Sequence, residues 1–315
     1  MKTVALIALT CAALTACGGG DSSASAIGPG SSSGSGGGSG STGSTLTLRY
    51  EALPPAGDAP SFLALVNGEG AKGFRYLSDT FNTASNTTSS IFVNDGTVQT
   101  YTYELLSAQG SQSGFIAQTN AEGARGYRFE GPLTYGNLYR KDGGSSATYT
   151  YATAAWPASQ AAFLAQANGQ GQSGYWLVGP IMLGTTSASL YMKNNASNAT
   201  YAYDALAPQA SATAFLAQAN SEGGKGYRAK GELVFGTDTA WVYVKDQTQS
   251  PTFTYQSATL QASSLAFVQQ SNDLGAQGNA YFGDLMLGGA AASFYFKPAT
   301  CTGFLCTALN PLTQN

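Results

Sequence analysis

The sequence predicts an α+β protein, a tandem array of five β-α-β-β units with helices on one face of largely antiparallel sheets. Three observations predict it. A fourteen-residue segment recurs five times without gaps: Phe62 to Arg75, Phe115 to Arg128, Phe163 to Trp176, Phe215 to Arg228 and Phe267 to Ala280. A tyrosine (Tyr50, Tyr103, Tyr151, Tyr203, Tyr255) stands twelve residues before each of those phenylalanines. Between these landmarks the pattern switches from strand-like alternation to a capped helical stretch and back. The units span about 47–99, 100–147, 148–199, 200–251 and 252–300, within a folded region of 45–300. The repeat is compatible with an open array or with a ring.

Each unit opens with alternating threonines and aromatics, as in Thr100-Tyr101-Thr102-Tyr103, a pattern that suits a half-buried strand. Four residues before each Phe lies a good N-cap: Asp58, Ser111, Ser159, Ser211 or Ser263. Gly70, Gly123, Gly171, Gly223 and Gly275 stand where a left-handed residue would end the helix. A second strand follows, interrupted by Gly131, Gly179, Gly231 and Gly283 in units two to five, which predicts a bulge. The last strand carries the recurring pattern Leu138-Tyr139-Arg140-Lys141, with Ile91-Phe92-Val93-Asn94 in unit one. A single unit buries too little surface to be secure, so neighbours must share faces.

The first sixteen residues pair Lys2 with an apolar run from Val4 to Leu14, too short for a bilayer-spanning helix. Leu14-Thr15-Ala16-Cys17 resembles the lipobox of bacterial lipoproteins. The resemblance implies a signal peptide over 1–16, cleavage before Cys17, and acylation of its sulfur and new amine (palmitate among the chains). That would anchor the chain to a membrane. Gly18 in place of Asp implies outer-membrane delivery in a two-membrane bacterium. Residues 17–44, the lipidated Cys and an almost pure Gly/Ser stretch, read as a flexible tether, and 301–315 form a tail with a Cys pair.

Composition narrows the chemistry. The chain of 315 residues holds 14 basic, 17 acidic and no histidine residues, for a net charge of −3. Without histidine there is no Ser-His-Asp or Cys-His catalysis and no His-ligated metal. The sparse basic residues give no footprint for nucleic acid. No cofactor and no metal is expected.

The unit also resembles a small family of bacterial domains of unknown function, which begin with a Tyr-rich strand and carry a helix ending Leu-Asn-x-Leu-Gly-x-x-Gly-Trp before a strand hairpin. Asn120, Gly123, Gly126 and Tyr127 carry that match, with equivalents in the other units. Unit five departs with Asn279 at the aromatic position, and Glu122 replaces the family's Leu. The resemblance implies the unit fold and brings no activity.

Several side chains are candidates for chemistry. The helix asparagines Asn67, Asn120, Asn168, Asn220 and Asn272 suit backbone capping better than a ligand. Glu69, Glu122 and Glu222 precede Lys72, Arg125 and Lys225 by three residues, as exposed helix-end pairs do. In the last strand the aliphatic residues are expected to face the helix. Tyr139, Tyr191, Tyr243 and Tyr295, with Lys141, Lys193, Lys245 and Lys297, would then form a repeated outer face. That face could bind an envelope polysaccharide or other polymer, or the tyrosines could pack on one another or on a neighbouring unit. Cys301 and Cys306 are expected to form a disulfide. The carboxylates Asp79, Glu104, Glu130, Asp204, Glu232 and Asp284 show no evident catalytic pairing. The reading is a non-enzymatic envelope lipoprotein that binds or scaffolds. A pure spacer or protein-partner surface is the alternative, and a carboxylate-dependent glycoside hydrolase a distant third.

Overall fold

The caps and stops read from the repeat define the elements. The computed structural model describes residues 47–83, 86–97 and 99–310; the signal segment, Cys17 and the linker lie outside them. Unit one comprises β1 (Arg49–Leu53), α1 (Ala59–Ala71), β2 (Arg75–Asn82) and β3 (Thr87–Asn94). Unit two comprises β4 (Tyr101–Leu106), α2 (Gln112–Ala124), β5 (Arg128–Leu133) and β6 (Gly136–Asp142). Unit three comprises β7 (Tyr149–Ala155), α3 (Gln160–Gln172), β8 (Tyr175–Leu183) and β9 (Thr186–Asn194). Unit four comprises β10 (Tyr201–Leu206), α4 (Ala212–Gly224), β11 (Arg228–Phe235) and β12 (Asp238–Asp246). Unit five comprises β13 (Thr252–Thr259), α5 (Ser264–Gly275), β14 (Ala280–Leu287) and β15 (Ala290–Ala299).

All five helices start at the expected caps, each side chain accepting from a backbone N–H three residues on, as Ser159 does from Ala162. Each unit forms its own three-stranded antiparallel sheet with the last strand in the centre. The first helix-end glycines do not hold the left-handed position. That role falls to Gly73, Gly126, Gly174, Gly226 and Gly278, all with φ between +84° and +91°. Gly70, Gly123, Gly171, Gly223 and Gly275 are needed for close approach instead. A Cβ on any of them would overlap a carbonyl oxygen in the first strand segment of another unit: Tyr101, Tyr149, Tyr201, Phe253 and Leu48 respectively.

The last of those contacts closes a ring. Helices α1, α2, α3 and α4 pack on β4, β7, β10 and β13, and α5 packs back on β1. The same polar joint recurs at every junction. Asn168 Oδ1 accepts from Tyr203 N (2.7 Å) and its Nδ2 donates to Tyr203 O (3.2 Å). At the seam, Asn272 treats Tyr50 in the same way (2.6 and 3.2 Å). The signature tyrosines complete the joint. Tyr203 Oη accepts from Leu177 N (2.7 Å), beside the β8 bulge at Leu177/Gly179, and Tyr50 Oη accepts from Tyr281 N (2.8 Å) beside the β14 bulge at Tyr281/Gly283. Tyr103, Tyr151 and Tyr255 do the same for Tyr76, Phe129 and Ala229. The amide released by each bulge is thus satisfied by the next unit.

Both faces of each central strand are buried. Tyr243 packs with Phe215 of its own helix, whereas Val242 and Val244 join Phe163 and Ala167 of the preceding one. Sheets and helices therefore alternate around the ring. The aliphatic set does face a helix, but that of the neighbouring unit. The tail fills the middle: Leu305, Cys306, Ala308 and Leu309 are buried, Phe304 meets Trp176 edge-on, and Arg75 donates to the Ala308 carbonyl. Cys301 and Cys306 are disulfide-bonded, as expected.

Three variants test the joint by urea unfolding, one of them a control outside it. Gly171→Ala should destabilise by roughly 1–3 kcal/mol through overpacking against the Tyr201 carbonyl. Gly169→Ala, two residues away in open space, should stabilise by up to ~1 kcal/mol through helix propensity. Tyr203→Phe should cost about 1–3 kcal/mol, because it strands the buried Leu177 N–H.

Candidate functional site

The tyrosine–lysine stripe does not form an open face. Tyr139, Tyr191, Tyr243 and Tyr295 are fully buried between the central strand and the unit's own helix. Their hydroxyls donate to Gln118, Gln166 and Gln218, and that of Tyr295 pairs with Ser271 and Gln270. Burial pushes the Tyr191 hydroxyl up to about 12. The expectation of outward tyrosines is corrected, because a sheet sandwiched between two helices has no solvent face. Lys141, Lys193 and Lys245 cap helix ends. Their Nζ atoms donate to the carbonyls of Arg125, Ser173 and Lys225, over the rings of Tyr127, Tyr175 and Tyr227. Lys297 is exposed.

The helix-end charges are more organised than isolated pairs. Lys72 reaches Glu69 (2.7 Å), Lys225 reaches Glu222 (2.6 Å), and Arg125 bridges Glu122 and Glu104. In unit one the second carboxyl is Glu51, which hydrogen-bonds Glu69. Burial, then the hydrogen bond and charge of Glu69, push Glu51 from the ordinary 4.5 up to about 7. The repeat itself carried the signal for this pairing. Glu51, Glu104 and Asp204 follow the signature Tyr in the units that have Glu69, Glu122 and Glu222. Where the helix acid is replaced by Gln170 or Leu274, the strand acid is replaced by Ala152 or Gln256.

A second charged group faces the tail. Arg140 contacts Glu130 (3.1 Å) and Asp142 (2.8 Å), Arg128 lies 3.5 Å from Glu130, and Arg75 lies 3.8 Å from Asp95. Burial alone would raise the Asp142 carboxyl, but Arg140 and Arg128 outweigh it and hold it below the ordinary range. Burial lowers Arg228 to about 10 and Lys230 well below the ordinary lysine value. Lys230 donates to the Val178 carbonyl and lies 4.6 Å over Trp176.

Beside this group opens a cavity of about 410 Å³ between units two, three and four and the disulfide loop. Tyr149, Tyr201 and Phe304 supply aromatic walls, and Asp142, Asn194 and Asp246, from the ends of three equivalent strands, supply polar ones. Sequence reasoning missed this site, because its far wall comes from a tail that has no counterpart in the repeat. No group of three or more potential metal ligands occurs among the described residues.

A family model described as "PT dipeptide repeat lipoprotein" matches residues 154–310, from unit three through the tail. The match supports a bacterial lipoprotein with repeats, associated with the cell envelope through a lipid anchor. No curated protein and no solved structure matches the chain.

The Glu51–Glu69 contact makes a pH prediction. Because Glu51 is raised, the folded chain binds more protons than the unfolded one between about pH 4.5 and 7. Its contribution is therefore present at low pH and is lost as pH rises through that window. Glu51→Gln should flatten this fall and leave the variant more stable than the parent near pH 8 in urea titrations.

Proposed function

We propose that the protein is a non-enzymatic outer-membrane lipoprotein, anchored through Cys17, whose ring is a rigid scaffold for a protein partner. The observation that carries the reading is where the repeated polar residues go. The five asparagines and signature tyrosines are spent on the joints, and the stripe tyrosines are spent on the core. Repetition here builds a frame, not five copies of a ligand site. The helix-end carboxylates support a non-catalytic role, since three of them are held directly by Lys72, Arg125 and Lys225.

What recurs outwardly is apolar. Phe81, Met182, Val234 and Met286 are each more than half exposed. Each lies three residues past its bulge position, where unit two has Thr134. Single exposed hydrophobics are ordinary, but one register kept apolar in four units favours protein contact. The Gly/Ser linker would give such a surface reach from the membrane.

Photo-crosslinking residues placed at Phe81, Met182, Val234 and Met286 in intact cells test this proposal. A single common adduct from several of these positions, absent from the exposed helix positions Ala117 and Gln269, is the expected result. No adduct, or the same adducts from the helix controls, would overturn the scaffold reading.

A further inference from the structure

The five units are not equivalent at the centre of the ring, because one tail serves them all. Its hydroxyl and carbonyl groups engage unit one, where Arg75 donates to Thr307 and Ala308, and the turn after β12 of unit four, where Gln249 meets Thr302. The ends of the central strands of units two, three and four are left around the 410 Å³ cavity. That volume lies in the lower part of the ~300–1,000 Å³ range of small-molecule sites.

The chemistry of the walls is specific. The Tyr149 and Tyr201 side chains are largely buried, yet their hydroxyls make no hydrogen bond among the described residues. Charged groups lie near both, Arg128 and then Asp142 for Tyr149, and Asp246 and then Arg128 for Tyr201. Neither hydroxyl is a buried unpaired atom, so both are accessible from the cavity and can exchange water for a ligand group there. Asn194 uses Oδ1 on Ala196 N and leaves Nδ2 available as a donor. The acids and Arg128 at the cavity wall already have partners within the protein. Asp142 is held by Arg140, Arg128 stands against Glu130, and Asp246 accepts from Thr248 and Gln249. The cavity therefore offers hydroxyls, an amide donor and aromatic faces beside acids that already accept hydrogen bonds.

We infer that this cavity is a binding site for a neutral, hydroxyl-rich ring compound of mono- or disaccharide size, such as the end of an envelope glycan. The sugar hydroxyls would complete the hydrogen bonding of Tyr149, Tyr201 and Asn194, and an apolar pyranose face would lie against the aromatic wall. This goes beyond the scaffold reading and stands or falls separately, since the apolar hairpin positions do not line the cavity.

The test uses the full chain purified in detergent. The probes are glucose, N-acetylglucosamine and their β-1,4 disaccharides, read by saturation-transfer NMR and by the fluorescence of Trp176, which contacts Phe304. Binding of at least one probe is the expected result. Tyr149→Phe with Tyr201→Phe keeps both rings and should weaken binding by roughly tenfold or more. Ser197→Trp, which fills the cavity, should abolish binding, and Thr302→Trp in the tail loop serves if the first filler perturbs the circular dichroism spectrum. Gln269→Trp on the outer helix surface should bind as the parent does. Absence of binding by every probe, or undiminished binding by a folded cavity-filling variant, would overturn the inference.

Discussion

Everything in this ring depends on how the edge of a first strand is satisfied. Each sheet places its first strand at an edge, and an edge strand exposes N–H and C=O groups that invite uncontrolled pairing. Here one asparagine side chain from the preceding helix donates to and accepts from that edge, in place of another strand. An amide can do this because it carries both functions in the right geometry. The helix must come close for the bond to form, and close approach requires glycine two residues before the helix C-cap. The signature tyrosine then reaches back to the bulged strand of the previous unit. Asn, Gly, Tyr and bulge are one device, which explains why they recur together.

The ring shape follows from applying that device five times with closure. An open solenoid needs terminal units with polar outer faces to shield the stacking surface. Among the described residues neither the first nor the last unit has such a face. Phe267 of the last helix packs with Ile91 and Val93 of the first sheet, as Phe163 packs with Val242 and Val244. Closure also creates a centre, where Arg75, Arg128 and Trp176 from three units meet the tail and Arg228 from a fourth stacks on Phe296 of β15. Burying so many cations is costly unless carboxylates, carbonyls and aromatic faces receive them. Glu130, Asp142, the Ala308 carbonyl, Phe296 and Phe304 do so.

Much of this was legible in the sequence. The five N-caps, the bulge positions and the Cys301–Cys306 disulfide follow from local chemistry, which needs only neighbours in the chain. The faces of the central strand were not legible. Tyr243 and Val242 are both large and apolar enough for a core, so alternation alone could not say which side met which helix. Closure was hidden for a similar reason. Asn272 and Tyr50 have the same identities in an open array as in a ring, and only the accumulated angle between units brings them together. The two roles of the helix-end glycines were confused because both a left-handed turn and a close approach select glycine. The cavity depends on a non-repeating tail, about which the repeat says nothing.

Closure of the ring is the central claim, and amide hydrogen exchange at the seam tests it most directly. The amides of Tyr50 and Tyr281 make the same bonds as those of Tyr203 and Leu177 at an internal junction. They should exchange as slowly as that internal pair and lose protection in the same unfolding transition. Rapid exchange at Tyr50 and Tyr281, with the internal junction still protected, would mean that the first and last units part in solution and that the chain is an open array.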